Sequence, residues 1–257
     1  MRSQKELINK KEWDVLIILD ACRLDTLAEV INKYMPKKVE VEPVISEGSC
    51  TPEWFLNTFT EKDNYSDIIY VSGNAWIATA HVRAFINRHD KQGVVYSAQE
   101  YAQFYKLINV WDFGWKNIGG VYTTDPQEIV NTTIKHMIVY RKKKFILHFL
   151  QPHGPYPFFP DLAKYYRNSP WTPDAPLWNA VKSGKVSLDV VKIGYRSTLT
   201  FVLNYIKQLL SKPIMHGKKV VITSDHGECL GEDGIFFHPC KTNHPILRTV
   251  PWAEIQL

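Results

Sequence analysis

Four short segments of the sequence collect the residue types that ester chemistry uses. They are Asp20, the run Ser46-Glu-Gly-Ser-Cys-Thr51, Gln151-Pro-His153 and Thr223-Ser-Asp-His226. Asp225 and His226 offer a carboxylate oxygen and an imidazole nitrogen, and Asp20 adds a second oxygen. That set suits one divalent cation such as Zn²⁺, Mn²⁺ or Ca²⁺. Each aspartate taken alone has a plainer use, capping the helix that follows it. In Gly48-Ser-Cys-Thr-Pro-Glu-Trp54, three candidate nucleophiles, Ser49, Cys50 and Thr51, stand before a helix predicted to begin at Pro52. The free N–H groups and positive dipole end of that helix would stabilise both an anionic nucleophile and an incoming phosphate or sulfate. The plainer use is again a cap, with Thr51 before the proline.

Elements that bring such distant segments together are visible as short apolar runs alternating with helical patterns, the signature of an α/β domain with strands buried on both faces. The runs are Val15 to Leu19, Ile68 to Val71, Phe145 to Leu150 and Val220 to Ile222. Val39 to Val44 alternates, and Pro43 puts it nearer an edge because proline cannot donate a ladder hydrogen bond. Leu24 to Met35 keeps helical spacing until Pro36; Ser97-Ala-Gln-Glu100 and Asp125-Pro-Gln-Glu128 read as capping boxes. The longest predicted helix is Leu188 to Leu210, with one apolar stripe and Pro213 beyond its end. In an open α/β sheet, ligands bind in the crevice outside the carboxyl ends of the strands, so the polar segments that follow the runs are expected to converge there. Pro155 to Lys185 reads as an excursion over the sheet, in which Tyr156, Phe158 or Trp171 would line a pocket. No repeat or linker divides the chain, so residues 1–257 are expected to form a single domain.

A content of 45% hydrophobic and 22% charged residues excludes disorder, collagen and coiled coil. The net charge of +5 favours an anionic ester substrate but lacks the density of a nucleic-acid binder. No apolar run approaches the ~20 residues of a membrane span, and the start lacks the apolar core of a signal peptide. A cytoplasmic protein with no membrane span is therefore expected. The four cysteines form no C-x-x-C pair, so reduced thiols are expected, with Cys22, Cys229 and Cys240 as small buried apolar residues.

The pattern Ile17-Ile-Leu-Asp-Ala-Cys-Arg-Leu-Asp25, Ser49-Cys-Thr-Pro, His153-Gly-Pro-Tyr156, Val221-Ile-Thr-Ser-Asp-His-Gly-Glu228, Leu230-Gly-Glu232, His238 and Val250-Pro-Trp252 resembles the sulfatase-like branch of the alkaline phosphatase superfamily, in that family's order. The resemblance implies a three-layer αβα sandwich with a mainly parallel central sheet, as a minimal core without the usual C-terminal subdomain. It implies a metal-dependent hydrolase of phosphate or sulfate esters, such as a phosphodiesterase or a sulfatase, acting through a covalent intermediate. By motif Asp20, Asp225 and His226, with the Thr51 hydroxyl, would hold one divalent metal ion, and His153 would contact the ester oxygens or the leaving group.

The chain departs from that pattern at three places. Sulfatases read C-x-P-x-R, the cysteine becoming formylglycine, whereas Trp54 stands here in place of the arginine. Phosphodiesterase and phosphoglycerol-transferase branches use an unmodified threonine, so Thr51 ranks above Cys50 and Ser49 as nucleophile. Asp20-Ala21 replaces two adjacent aspartates, and no D-x-x-x-H segment supplies a second metal site. His238, Arg23 and Lys241 are candidate contacts to an anionic ester, His244 a weaker one; the two histidines alternatively build a second metal site, and Arg23 is alternatively a structural ion-pair partner. The alternatives are a phosphoglycerol- or phosphoethanolamine-type transferase and a catalytically silent metal-binding module of the same fold.

Overall fold

The structure, a computed structural model, describes residues 1–61, 65–87, 92–166 and 175–257. Trp171 lies outside the described residues. One eight-stranded sheet organises the chain. Its strands are β1 (Arg2–Ser3), β2 (Val15–Leu19), β3 (Glu42–Ile45), β4 (Ile68–Ser72), β5 (Lys106–Asn109), β6 (Lys144–Phe149), β7 (Lys219–Thr223) and β8 (Thr249–Gln256), in the order β1-β3-β8-β7-β2-β6-β4-β5. Every neighbouring pair is parallel except the two that β8 makes, with β3 and β7. Hence β2, β3, β4, β6 and β7 all end at the same edge.

The central strands are apolar throughout because they are covered on both faces. Along β2, Val15, Ile17 and Leu19 enter one core while Leu16 and Ile18 enter the other, as the period of two requires. The first core is closed by α2 (Leu24–Val30), α4 (Pro126–Val139) and α5 (Leu188–Leu210), through side chains such as Leu27, Ile129, Leu199 and Ile206. The second is closed by α1 (Gln4–Lys10) and α3 (Thr51–Thr58), through Ile8, Trp54 and Phe55. The result is the expected three-layer α/β architecture with a mainly parallel sheet.

Local sequence accounts for the element ends. Ser187 caps α5 by accepting from Asp189 N–H, and Asp125 caps α4 ahead of Pro126. One expectation is borne out and one is corrected. The Pro43 strand lies near the edge as expected, with only the two-residue β1 outside it, opposite Val44 and Ile45; on its other side Pro43 faces Pro251 of β8, so two residues without an N–H meet. The helix expected up to Met35 stops at Val30 and continues as a single 3₁₀ turn, Ile31–Lys33.

Candidate metal and ester site

Five chain segments leave the common edge of the sheet and meet. Asp20 follows β2, Asn74 follows β4, His153 follows β6, Asp225 and His226 follow β7, and the loop after β3 leads through Gly48 to Thr51. Two glycines make the approach possible. A Cβ on Gly48 would lie 2.2 Å from Trp54 N, so only glycine lets this loop fold against the first turn of α3. A Cβ on Gly227 would lie 1.9 Å from Ile246 O, which explains the glycine immediately after Asp225-His226.

Asp20, Asp225 and His226 are buried, and one ligating atom from each lies within 4.8 Å of the others. Thr51 joins them: its hydroxyl donates to Asp225 Oδ2 at 2.7 Å and lies 3.3 Å from His226 Nε2. Thr51 is the first residue of α3 and the cap position belongs to Cys50, which makes no side-chain cap bond. The capping role open to Thr51 in the sequence is thus not the one its hydroxyl takes. Asn74, which sequence reasoning missed, donates to Asp20 Oδ2 at 2.6 Å and lies 3.3 Å from the Thr51 hydroxyl. It was findable, because it stands just past a run read as a strand.

The electrostatics of this cluster match a cation. Burial and the neighbouring Asp225 charge push the Asp20 carboxyl well above its ordinary range, so two adjacent buried carboxylates are poorly tolerated without a positive partner. Asp20 Oδ1 is buried without a hydrogen-bond partner among the described residues and lies 3.5 Å from His226 Nε2. Burial pushes His226 down to about 4, leaving a neutral imidazole near pH 7. With Nδ1 2.9 Å from Gly227 O, the proton belongs on Nδ1 and the Nε2 lone pair faces the carboxylates. Two oxygens from aspartates, a hydroxyl oxygen and an imidazole nitrogen are therefore a fitting donor set for Zn²⁺ or Mn²⁺.

Above this buried floor lies a more open rim. The His238 ring is 4.4 Å from that of His226 and 4.9 Å from that of His153, and its Nδ1 lies 2.9 Å from Glu228 Oε2. His153, Glu228 and His238 make a second group whose ligating atoms lie within 4.8 Å of one another. Glu228 was quoted within a motif but given no role. His148 is fully buried beneath the floor, between the Tyr70 hydroxyl at 2.8 Å and Asp225 Oδ2 at 3.8 Å.

Other expectations are corrected here. Cys50 is bonded to Cys240, so neither is a reduced thiol, Cys240 is not a small apolar filler, and Cys50 offers no free nucleophile. Cys22 and Cys229 are free and buried. Ser49 turns to Glu53 and Pro239 O. The Arg23 guanidinium is held by Asp25, Glu232 and the Glu228 carbonyl, which makes it a structural ion-pair partner rather than an ester contact. Lys241 is exposed beside the bridge, and among the described residues no contact joins its ammonium to the Thr51 cluster. His244 faces Cys229 and Asp233. Trp54 is wholly buried, donating to Gln4 and lying edge-on to Phe59, so the place of the sulfatase arginine belongs to the core.

No family model and no curated protein sequence matches the chain. Solved structures do. The soluble domain of lipooligosaccharide phosphoethanolamine transferase A from Neisseria meningitidis is 14% identical at a TM-score of 0.54, over 93% of this chain and 75% of that domain. Of the integral membrane protein of that name from the same organism, the chain covers 47%. The C-terminal periplasmic domain of EcEptC from Escherichia coli, in complex with Zn, is 14% identical at 0.56, over 94% of this chain and 72% of that one. BT1596, a 2-O GAG sulfatase, is 10% identical at 0.51, over 95% and 64%. At these identities the likeness is one of fold, and it agrees with the alkaline-phosphatase-like architecture that the motifs imply.

Proposed function

We propose that this chain is a metal-dependent enzyme that cleaves phosphate esters through a covalent intermediate on Thr51. The observation that carries the reading is the Thr51 hydroxyl, which sits among Asp20, Asp225 and His226 instead of capping its own helix. Those three residues and the Thr51 oxygen would hold one divalent ion, which when bound polarises the ester and lowers the pKa of the attacking hydroxyl. The Thr51 hydroxyl attacks phosphorus in line as the bond to the leaving oxygen breaks. Its proton passes along the existing hydrogen bond to Asp225 Oδ2. His153, at the rim, contacts the ester oxygens and in its protonated form gives the leaving oxygen a proton; His238, with Nδ1 turned to Glu228, holds the other side of the ester. Water then attacks phosphorus and gives a proton to His153 as the bond to the Thr51 oxygen breaks; Thr51 takes its proton back from Asp225, and the phosphate product leaves.

Phosphate is preferred over sulfate in this reading, because Trp54 leaves no arginine to clamp sulfate and the bridged Cys50 has no thiol to convert. A second reading is transfer, with an alcohol in place of water as acceptor. The fold shared with phosphoethanolamine transferases supports it, and the first half-reaction is the same. A panel of aryl phosphomonoesters, phosphodiesters and sulfate esters, with Zn²⁺ or Mn²⁺ and with or without an added alcohol, tests both. Turnover of phosphate esters with product partitioning toward the alcohol favours transfer; no turnover of any ester leaves the metal-binding module.

A further inference from the structure

The rim and the floor of this site are held by different means. Asp20, Asp225 and His226 follow strands at the centre of the sheet, and Thr51 opens a helix packed on it. His238 instead lies in an irregular loop, after Phe236–Phe237, which among the described residues pairs only with the two residues Cys229–Leu230. What ties that loop to the nucleophile is a latch on the first turn of α3. Cys240 is bonded to Cys50, Thr242 N–H donates to Ser49 Oγ at 3.2 Å, and Lys241 N–H donates to Glu53 Oε2 at 3.0 Å. The bridge joins residues 190 apart in sequence, yet its two ends are the immediate neighbour of Thr51 and a residue two past His238.

We propose that the Cys50–Cys240 bridge is a positioning element of the site, which sets His238 against Thr51, and that a dithiol slows turnover by opening it while the buried cluster keeps its metal. The inference rests on the phosphate-ester reading above. In the reaction one thiolate of the dithiol attacks a bridge sulfur and the second closes a cyclic disulfide. The dithiol loses two electrons and Cys50 and Cys240 leave as thiols. The hydrogen bonds that remain, from Thr242 N–H, from Lys241 N–H and from the Ser49 hydroxyl to Pro239 O, with His238 Nδ1 still beside Glu228, are weaker than a covalent bond and lie partly in solvent, so the loop gains freedom at His238. A displacement of even about 1 Å at a substrate contact costs up to about 100-fold in rate. In a compartment that reduces disulfides the same reaction would hold the enzyme in its slow form.

The bridge also closes a long loop, so thermal stability falls on opening whichever role it has, and a melting shift does not decide the matter. The deciding experiment compares the oxidised protein, the dithiol-treated protein and Cys240→Ser, each loaded with Mn²⁺. Three readouts are taken: kcat and KM on an aryl phosphate ester, metal content, and backbone hydrogen exchange. The expected result is a fall in kcat of about 10- to 100-fold in both opened forms at unchanged metal content. Exchange should quicken over residues 236–242 and not at β2 or β7, reoxidation should restore the wild type, and dithiol should have no effect on Cys240→Ser. Equal kcat in all three forms, or metal lost along with activity, would overturn the proposal. If the oxidised protein turns over no ester, the phosphate-ester reading fails. Exchange then decides the bridge alone, and unchanged protection at 236–242 sinks it.

Discussion

The Thr51 hydroxyl donates to Asp225 Oδ2 at 2.7 Å although the two residues lie 174 positions apart, and it does so from the first turn of a helix that no side chain caps. A threonine before a proline ordinarily serves its own helix. Here the hydroxyl faces a buried carboxylate and an imidazole, an arrangement with no evident benefit to the helix and an obvious one to a nucleophile.

Metal should stabilise the fold through Asp20, Asp225 and His226. At a free Zn²⁺ or Mn²⁺ concentration 100 times Kd, binding adds about 2.7 kcal/mol, readable as a rise in Tm. Asp225→Asn and Asp20→Asn should lose most of that rise and most of the activity while remaining folded. Full metal occupancy and turnover in both variants would place the site elsewhere.

His153→Ala should lower turnover with metal content unchanged, because the reading makes His153 a contact to the ester. Its grouping with Glu228 and His238 gives the alternative. If the metal content drops by one equivalent in His153→Ala and in Glu228→Gln alike, the rim holds an ion of its own.

Arg23→Gln should cost stability and spare KM. The guanidinium holds two carboxylates and a carbonyl, but Asp25 and Glu232 are open to water, so losing these pairs costs about 1 kcal/mol. The Arg23 hydrogen bond also holds the Asp25 carboxyl below its ordinary 3.8. A carboxyl depressed in the folded state stabilises above its unfolded pKa, and that contribution is lost as pH falls through the lowered value. The loss of stability below pH 4 should therefore be shallower in Arg23→Gln. A large rise in KM with stability intact would return Arg23 to the ester.

Trp54→Arg should not create a sulfatase. The indole is fully buried against Phe59 and bonded to Gln4, and removing such a side chain costs about 3–5 kcal/mol even before a charge is buried in its place. Denaturant unfolding should show the loss; a stable variant with gained sulfate-ester activity contradicts this account.

Much of this was readable from the sequence where structure is local. Val15–Leu19 and Leu188–Leu210 have the limits that their apolar patterns predict, and the polar segments after the runs meet as the carboxyl-end rule requires. What sequence did not reveal is long-range. The strand Thr249–Gln256 was missed because Pro251 interrupts it and its single antiparallel course carries no local turn signal. The Cys50–Cys240 bridge joins residues 190 apart with no spacing motif, and Arg23 meets Glu232 only once β7 and its following loop are in place beside β2. Asn74 has chemistry only because Asp20 and Thr51 arrive beside it.

The most direct test is to trap the intermediate. Metal-loaded protein is mixed with an aryl phosphodiester, quenched in acid and mapped by peptide mass. The account predicts an adduct on Thr51 whose phosphorus still carries the second ester group, absent from Thr51→Ala, a variant that folds because its hydroxyl serves no cap and that turns over no ester. An adduct on any other residue, or a folded Thr51→Ala that works at the wild-type rate, would contradict it.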